Sequence, residues 1–301
     1  MTADPADPVG TLSVPAPAKI NLYLHVTDQR DDGYHELDSL VVFAGINDVI
    51  EISPGDGLKL SFDGPFGGDL PPGPENLALK AAGRLAEAAG ITEGAAIGLE
   101  KRLPVASGIG GGSADAAAVL NGLMAFWKVD PDSVDLYGLA LELGADVPVC
   151  LYGLSAFVGG VGEEIRRAPA MPPAWLVLVN PGVPLSTQAV FDARQGGFSG
   201  DGRFEESPAT AQVLAGFLGE RTNDLTEGAV RLQPSIAGVL EALEAVEDCL
   251  LARMSGSGAT CFGLFADAGS AARAAAVLSQ SQPGWWVRAA PLLDDTRSLT
   301  G

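Results

Sequence analysis

Residues 104–120 read PVASGIGGGSADAAAVL, with Gly108, Gly110, Gly111 and Gly112 inside five positions. Glycine lets a backbone take positive φ and come close to a ligand. Ser113 follows as an N-cap for a helix expected to begin near Ala114. A helix start offers free N–H groups and a partial positive charge, so this run is built to seat an anion. The phosphate chain of a nucleotide suits it best, and phosphoryl transfer is the chemistry it would serve. Two familiar phosphate loops are excluded. A P-loop needs GxxxxGK[ST], and no Lys or Arg follows these glycines until Lys128. A dinucleotide fingerprint needs GxGxxG, and here the third glycine is misplaced and the later acidic residue is missing from a strand end.

Other elements must hold this loop against a reacting group. Residues 19–26 alternate strictly: Ile20, Leu22, Leu24 and Val26 face one way, Lys19, Asn21, Tyr23 and His25 the other. Period two predicts a half-buried strand that points Lys19 and Asn21 into one cleft. A turn follows at Asp31-Asp32-Gly33, then strands over 37–44 and 48–53 and a short one over 58–62. Asn76 caps a helix that ends at Gly90, and a strand over 95–101 feeds the glycine loop. The loop opens a helix running to about Trp127, and a second helix covers 133–143, stopped at Gly144. Residues 1–12 read as a loose tail. Pro172-Pro173 marks a boundary, giving domains over 1–172 and 173–301. Beyond it come a strand over 175–180, a polar loop over 195–208 and helices over 224–231 and 235–246. Strands over 250–254 and 261–266 flank Ser255-Gly256-Ser257-Gly258, and a helix over 270–279 and a strand over 285–289 follow. Helices and strands mix without βαβ alternation, which predicts a two-domain α+β architecture.

Composition narrows the partners. The 301 residues are 47% hydrophobic and 19% charged, enough for a real core. Net charge is −20, from 38 acidic and 18 basic residues, and no Lys/Arg run exceeds two. A nucleic-acid partner would need a basic stripe, so none is expected. An anionic substrate must instead be held by a few local cations and backbone amides, against the field of the whole chain. Cys150, Cys249 and Cys261 are scattered and odd in number, which fits a reducing compartment. Only His25 and His35 are available for a histidine metal site, too few to expect one. The N-terminal residues have no signal-peptide pattern, and no apolar run reaches the ~20 residues of a membrane span. A cytoplasmic protein with no membrane partner, a monomer or weak dimer, is expected.

Four segments in order resemble the GHMP kinases, which act on galactose, homoserine, mevalonate and phosphomevalonate. They are residues 104–117; PAKINLYL at 17–24 with Gly33-Tyr34-His35 after it; LGADVP at 143–148; and MSGSGATCF at 254–262. The resemblance runs from about 16 to 288 and points to the branch of the non-mevalonate isoprenoid route whose acceptor is a cytidine diphosphate sugar alcohol. It implies a GHMP-kinase-like fold with the active site in the interdomain cleft, and ATP with Mg²⁺ travelling on it. Ser107 stands where Ala or Gly is more usual, and Ala114 where a second Ser often sits.

Residue by residue, the resemblance implies these roles. Pro104, Val105, Ala106, Ser107, Gly108, Ile109, Gly110, Gly111, Gly112, Ser113 and Ala114 would wrap the nucleotide, with the Ser113 hydroxyl one candidate for the cation. Lys101 is read as a nucleotide contact, the alternative being a surface lysine. Asp146 would accept the acceptor hydroxyl's proton, though an aspartate there could simply cap a short helix. Lys19 would sit beside it and offset developing charge, the alternative being a solvated lysine. Asn21 would bind the acceptor. His35 would read the cytosine edge, with Tyr34 and Phe191 on the two faces of the base; Phe191 could instead be core. Thr187 would meet the ribose or diphosphate. Ser255, Gly256, Ser257 and Gly258 would lie beside the acceptor's tail, unless they form only a hairpin turn. Another GHMP kinase and a catalytically silent binding protein on the same fold are the rival readings. Loss of Lys19 or Asp146 would favour the silent protein, and both residues are present.

Overall fold

The computed structural model describes residues 10–71 and 73–299. The expected loose tail falls largely on residues 1–9, outside the described residues. The chain then enters β1 (Leu12–Gln29), which turns at 30–34 into β2 (His35–Pro54), its antiparallel partner. Two corrections to the sequence reading follow. β1 is buried on both faces from Ala16 to Val26, because the glycine loop at Gly110 and the segments around Gly202 and Thr222 lie over the side that carries Lys19, Tyr23 and His25. The strands expected over 37–44 and 48–53 are one, since Asn47 and Asp48 stay paired with Pro17 and Ala16.

β3 (Leu58–Asp63), α1 (Leu77–Ala89) and β4 (Ala95–Glu100) come next. Asn76 caps α1 through the Ala78 N–H, and left-handed Gly90 ends it. α2 (Gly111–Phe126) starts earlier than expected. Gly110, at φ 64°, is its N-cap, and Ala114 N–H already bonds to Gly110 O at 2.8 Å. Ser113 therefore lies inside the first turn and caps nothing. The helix expected over 133–143 divides into a 3₁₀ turn at Pro131–Ser133 and α3 (Leu136–Leu143), because the Asp135 side chain caps α3 at Gly138 N–H. α4 (Val147–Tyr152), β5 (Ala156–Gly160) and β6 (Glu164–Arg167) were not expected. All three are short, and β5 is buried at every residue, so none carries a readable periodic pattern.

The second half holds β7 (Trp175–Asn180), α5 (Thr187–Ala193), α6 (Ala211–Gly219), α7 (Thr226–Leu232), α8 (Ser235–Ala245), β8 (Leu251–Met254), β9 (Cys261–Phe265), α9 (Ala268–Ser281) and β10 (Trp286–Leu293). Asp267 caps α9 at Ser270 N–H, which starts that helix before the expected Ser270. The strands form one sheet in the order β3-β4-β2-β10-β7-β9-β8, with β1 and β5 also paired to β2. β10 joins the halves: it pairs with β7 from Trp286 to Pro291 and meets β2 at Leu292–Ala44 and Leu293–Phe43. One core lies between α1, α2 and the first-half sheet; another packs α8 and α9 on β7 and β9; a third joins them through residues such as Ile20, Leu40, Leu178 and Phe262. Among the described residues no helix is long and apolar enough to cross a membrane.

Candidate active site

Lys19 leaves β1 beside the glycine loop. Its backbone N–H donates to Ile109 O at 2.9 Å, and a Cβ added to Gly110 would stand 2.9 Å from Lys19 Cε. Only glycine allows that approach at φ 64°. The Lys19 ammonium lies 2.8 Å from Asp146 Oδ2 and donates to Asn21 Oδ1 at 3.0 Å. Lys19 is buried, whereas the Asp146 side chain is 44% exposed, so the carboxylate is the accessible member of the pair. Asp146 heads α4, but its side chain makes no capping bond.

The second glycine turn packs against the first. Ser255 Oγ accepts from Asn21 N–H and donates to Gly108 O, both at 3.1 Å, and Thr260 N–H donates to Ser107 O at 3.0 Å. A Cβ on Gly108 would lie 2.6 Å from the carbonyl oxygens of both Ser255 and Gly258. Ser257 Oγ and Thr187 Oγ1 are 2.8 Å apart, so the turn also touches the start of α5. One helical turn beyond Thr187, the Phe191 ring stacks on His35, centroids 5.0 Å apart at 25°. Phe191 is also partly buried against the core of the second half. Tyr34 is 64% exposed. Burial, and then the Arg194 guanidinium, hold His35 below the ordinary imidazole pKa.

Lys101 departs from both of its expected places. It is 1% exposed, and its ammonium is bonded to Asp48 and Asp115 under the loop, so it is neither a surface lysine nor open to a nucleotide. Burial pulls that ammonium's pKa down, and the two carboxylates outweigh it, leaving it above the ordinary lysine value. Burial likewise pushes the Asp115 carboxyl up, against the pull of Lys101.

The GHMP kinases N terminal domain matches residues 76–154, and the GHMP kinases C terminal domain matches 206–283. The chain is 56% identical to the 4-diphosphocytidyl-2-C-methyl-D-erythritol kinase of Paramagnetospirillum magneticum, over 94% of this chain and 99% of that one. The chain belongs to the 4-diphosphocytidyl-2-C-methyl-D-erythritol kinase family. The Rhodospirillum rubrum member is 53% identical over 93% of this chain and 92% of its own. A crystal structure of 4-(cytidine 5'-diphospho)-2C-methyl-D-erythritol kinase superposes with a TM-score of 0.77 at 38% identity, covering 93% of this chain and 99% of that one. Homoserine kinase from Cytophaga hutchinsonii, at 18% identity and a TM-score of 0.68, covers 98% of each chain and shares the fold.

Within this kinase family's frame, three braces went unread in the sequence. Ser39 Oγ accepts from Asn21 Nδ2 at 2.8 Å, aiming the amide. Asn223 Oδ1 accepts from Leu225 N–H just ahead of α7, and its Nδ2 donates to Met254 O and Gly256 O, which pins the second glycine turn. Asp115 carried a usable signal: it is an acid in an otherwise apolar, Ala-rich helix, which calls for a buried cation. Among the described residues no group of three or more His, Cys, Asp or Glu side chains is placed to hold a metal ion.

Proposed function

We propose that the chain transfers the γ-phosphate of ATP to the 2-hydroxyl of the methylerythritol unit of 4-diphosphocytidyl-2-C-methyl-D-erythritol, releasing ADP and the 2-phosphate. The observation that carries the mechanism is the Lys19–Asp146 pair, 2.8 Å apart beside the Gly108–Gly112 amides. Asp146 accepts the hydroxyl proton as that oxygen attacks phosphorus. Lys19, aimed by Asn21, offsets the charge that develops on the transferring phosphoryl. Loop amides and the start of α2 hold the phosphates. Mg²⁺ entering on the nucleotide would neutralise phosphate charge, with the Ser113 hydroxyl a candidate ligand.

The acceptor's cytosine is read by His35 between aromatic faces supplied by Tyr34 and Phe191. That arrangement requires Phe191 to lift from the imidazole it covers. Thr187 meets Ser257 at one end of the second glycine turn and Ser255 meets Gly108 at the other, so the turn lies between α5 and the phosphate loop, where the diphosphate and the acceptor's tail would pass. The division near residue 172 belongs to the same reading, supported by family matches that fall on either side of it. The protein is read as cytoplasmic, a monomer or weak dimer, acting on small molecules only.

The test is ADP release from MgATP with the cytidyl acceptor, mevalonate or homoserine, for the native chain and Asp146→Asn. Release with the cytidyl acceptor alone, and its near-loss in the variant, is expected. Turnover of mevalonate or homoserine would refute the cytosine reading while keeping the phosphate loop.

A further inference from the structure

The phosphate loop rests on a buried ion cluster that takes no part in the chemistry described above. Lys101 Nζ lies 2.5 Å from Asp48 Oδ2 and 2.6 Å from Asp115 Oδ2. All three residues are at most 2% exposed. The other oxygen of Asp48 accepts from Arg102 N–H at 2.6 Å and Leu103 N–H at 2.8 Å. Lys101, Arg102 and Leu103 are the last residues before the loop begins at Pro104, while Asp115 belongs to α2, the helix that leaves it. A Cβ on Gly111 would stand 3.0 Å from Lys101 Nζ, so the ammonium lies directly beneath the first turn of α2. One cation therefore ties the chain entering the loop to the helix leaving it.

Stability does not account for the arrangement. Burying ions costs desolvation, and apolar residues of similar volume often do as well or better. This cluster is also incomplete as a packing device: it carries two acids to one base, and Asp115 Oδ1 has no hydrogen-bond partner. What ions provide that apolar contacts do not is a defined distance and direction. We infer that Asp48, Lys101 and Asp115 are positioning residues for the nucleotide, setting the loop's amides relative to the first turn of α2. The inference rests on residues 104–113 being the nucleotide seat.

Asp115→Asn tests it, because asparagine keeps the shape and an oxygen for Lys101 but removes the charge. The expected result is a KM for MgATP raised roughly five- to tenfold, with kcat within about twofold of native and the acceptor's KM unchanged. A purely structural loss would lower the active fraction, hence kcat, and leave KM alone. An unchanged KM for MgATP, with or without a fall in kcat, overturns the inference. Should that variant not fold, Asp48→Asn reads the same quantity, since its amide oxygen can still accept from Arg102 and Leu103. Failure of both to fold assigns the cluster to the core and also overturns it. Calorimetric titration of the native chain with MgADP separates the two levels. No binding there removes the nucleotide seat, and the inference with it. Native binding with an unaltered Asp115→Asn removes the inference alone.

Discussion

Asp146 heads a helix without capping it. A capping aspartate turns its oxygens to the backbone; this one turns an oxygen to Lys19 and keeps much of its surface accessible. Removing a general base costs roughly 10²–10⁴ in rate, so under the proposed role Asp146→Asn should lower kcat by that range with both KM values within a few-fold. His35 supplies a pH prediction. Its pKa is lowered by burial and by Arg194, so it stays neutral down to at least the ordinary imidazole value of about 6.5. A neutral ring offers one donor and one acceptor to a base edge; a charged ring offers only donors. The acceptor's KM should be flat from pH 8 to about 6.5 and rise below, while the KM for MgATP is not moved by this group. The linkage runs the same way. The unfolded histidine takes its proton at higher pH than the folded one, so this group's stability contribution is complete above about pH 6.5 and is lost as pH falls through the folded value. An acceptor KM that rises above pH 7 instead would contradict the assignment.

Two glycine turns, one before α2 and one between β8 and β9, make a single element of the site, though about 150 residues separate them in sequence. Gly108 is where they touch. It has φ 76°, and its missing side chain leaves room for two carbonyl oxygens of the other turn. Gly108→Ala adds left-handed strain and forces the turns apart, a cost of about 2–3 kcal/mol. A lower thermal midpoint together with raised KM for both substrates is expected. An unchanged midpoint would mean the turns part without cost. The first turn, with four glycines inside five positions, is legible as an anion seat from the sequence. Its exact start is not. Ser113 looks like a cap, but Gly110 takes the left-handed conformation first and the helix is under way before the serine is reached.

At the scale of the whole molecule, the two halves share a sheet. β10, the last strand, pairs with β7 and reaches β2, and the Thr260 N–H bond to Ser107 O, with the Ser255 hydroxyl on Gly108 O, ties the two glycine turns together. The chain should therefore unfold in urea in one transition, reported alike by near- and far-ultraviolet circular dichroism. Two separated transitions would mean that the seam contributes little.

By itself the sequence determined an anion seat in the glycine-rich run and a strand carrying Lys19, because both depend on residue type and short spacing, which local backbone physics links directly to structure. The parts of Asp146, Lys19, Tyr34, His35 and Phe191 came from the resemblance to the GHMP kinases. The tertiary structure alone decided the assembly. Lys19 and Asp146, 127 positions apart, meet only because β1 and α4 flank the same loop. Strand β1 is buried on both faces although its alternation predicts one wet face, since covering elements arrive from distant sequence. Lys101, alike in sequence to a surface or ligand-binding lysine, is sealed between two acids for the same reason. Periodicity reports a strand's own geometry; what packs over it is a long-range event that no local pattern encodes.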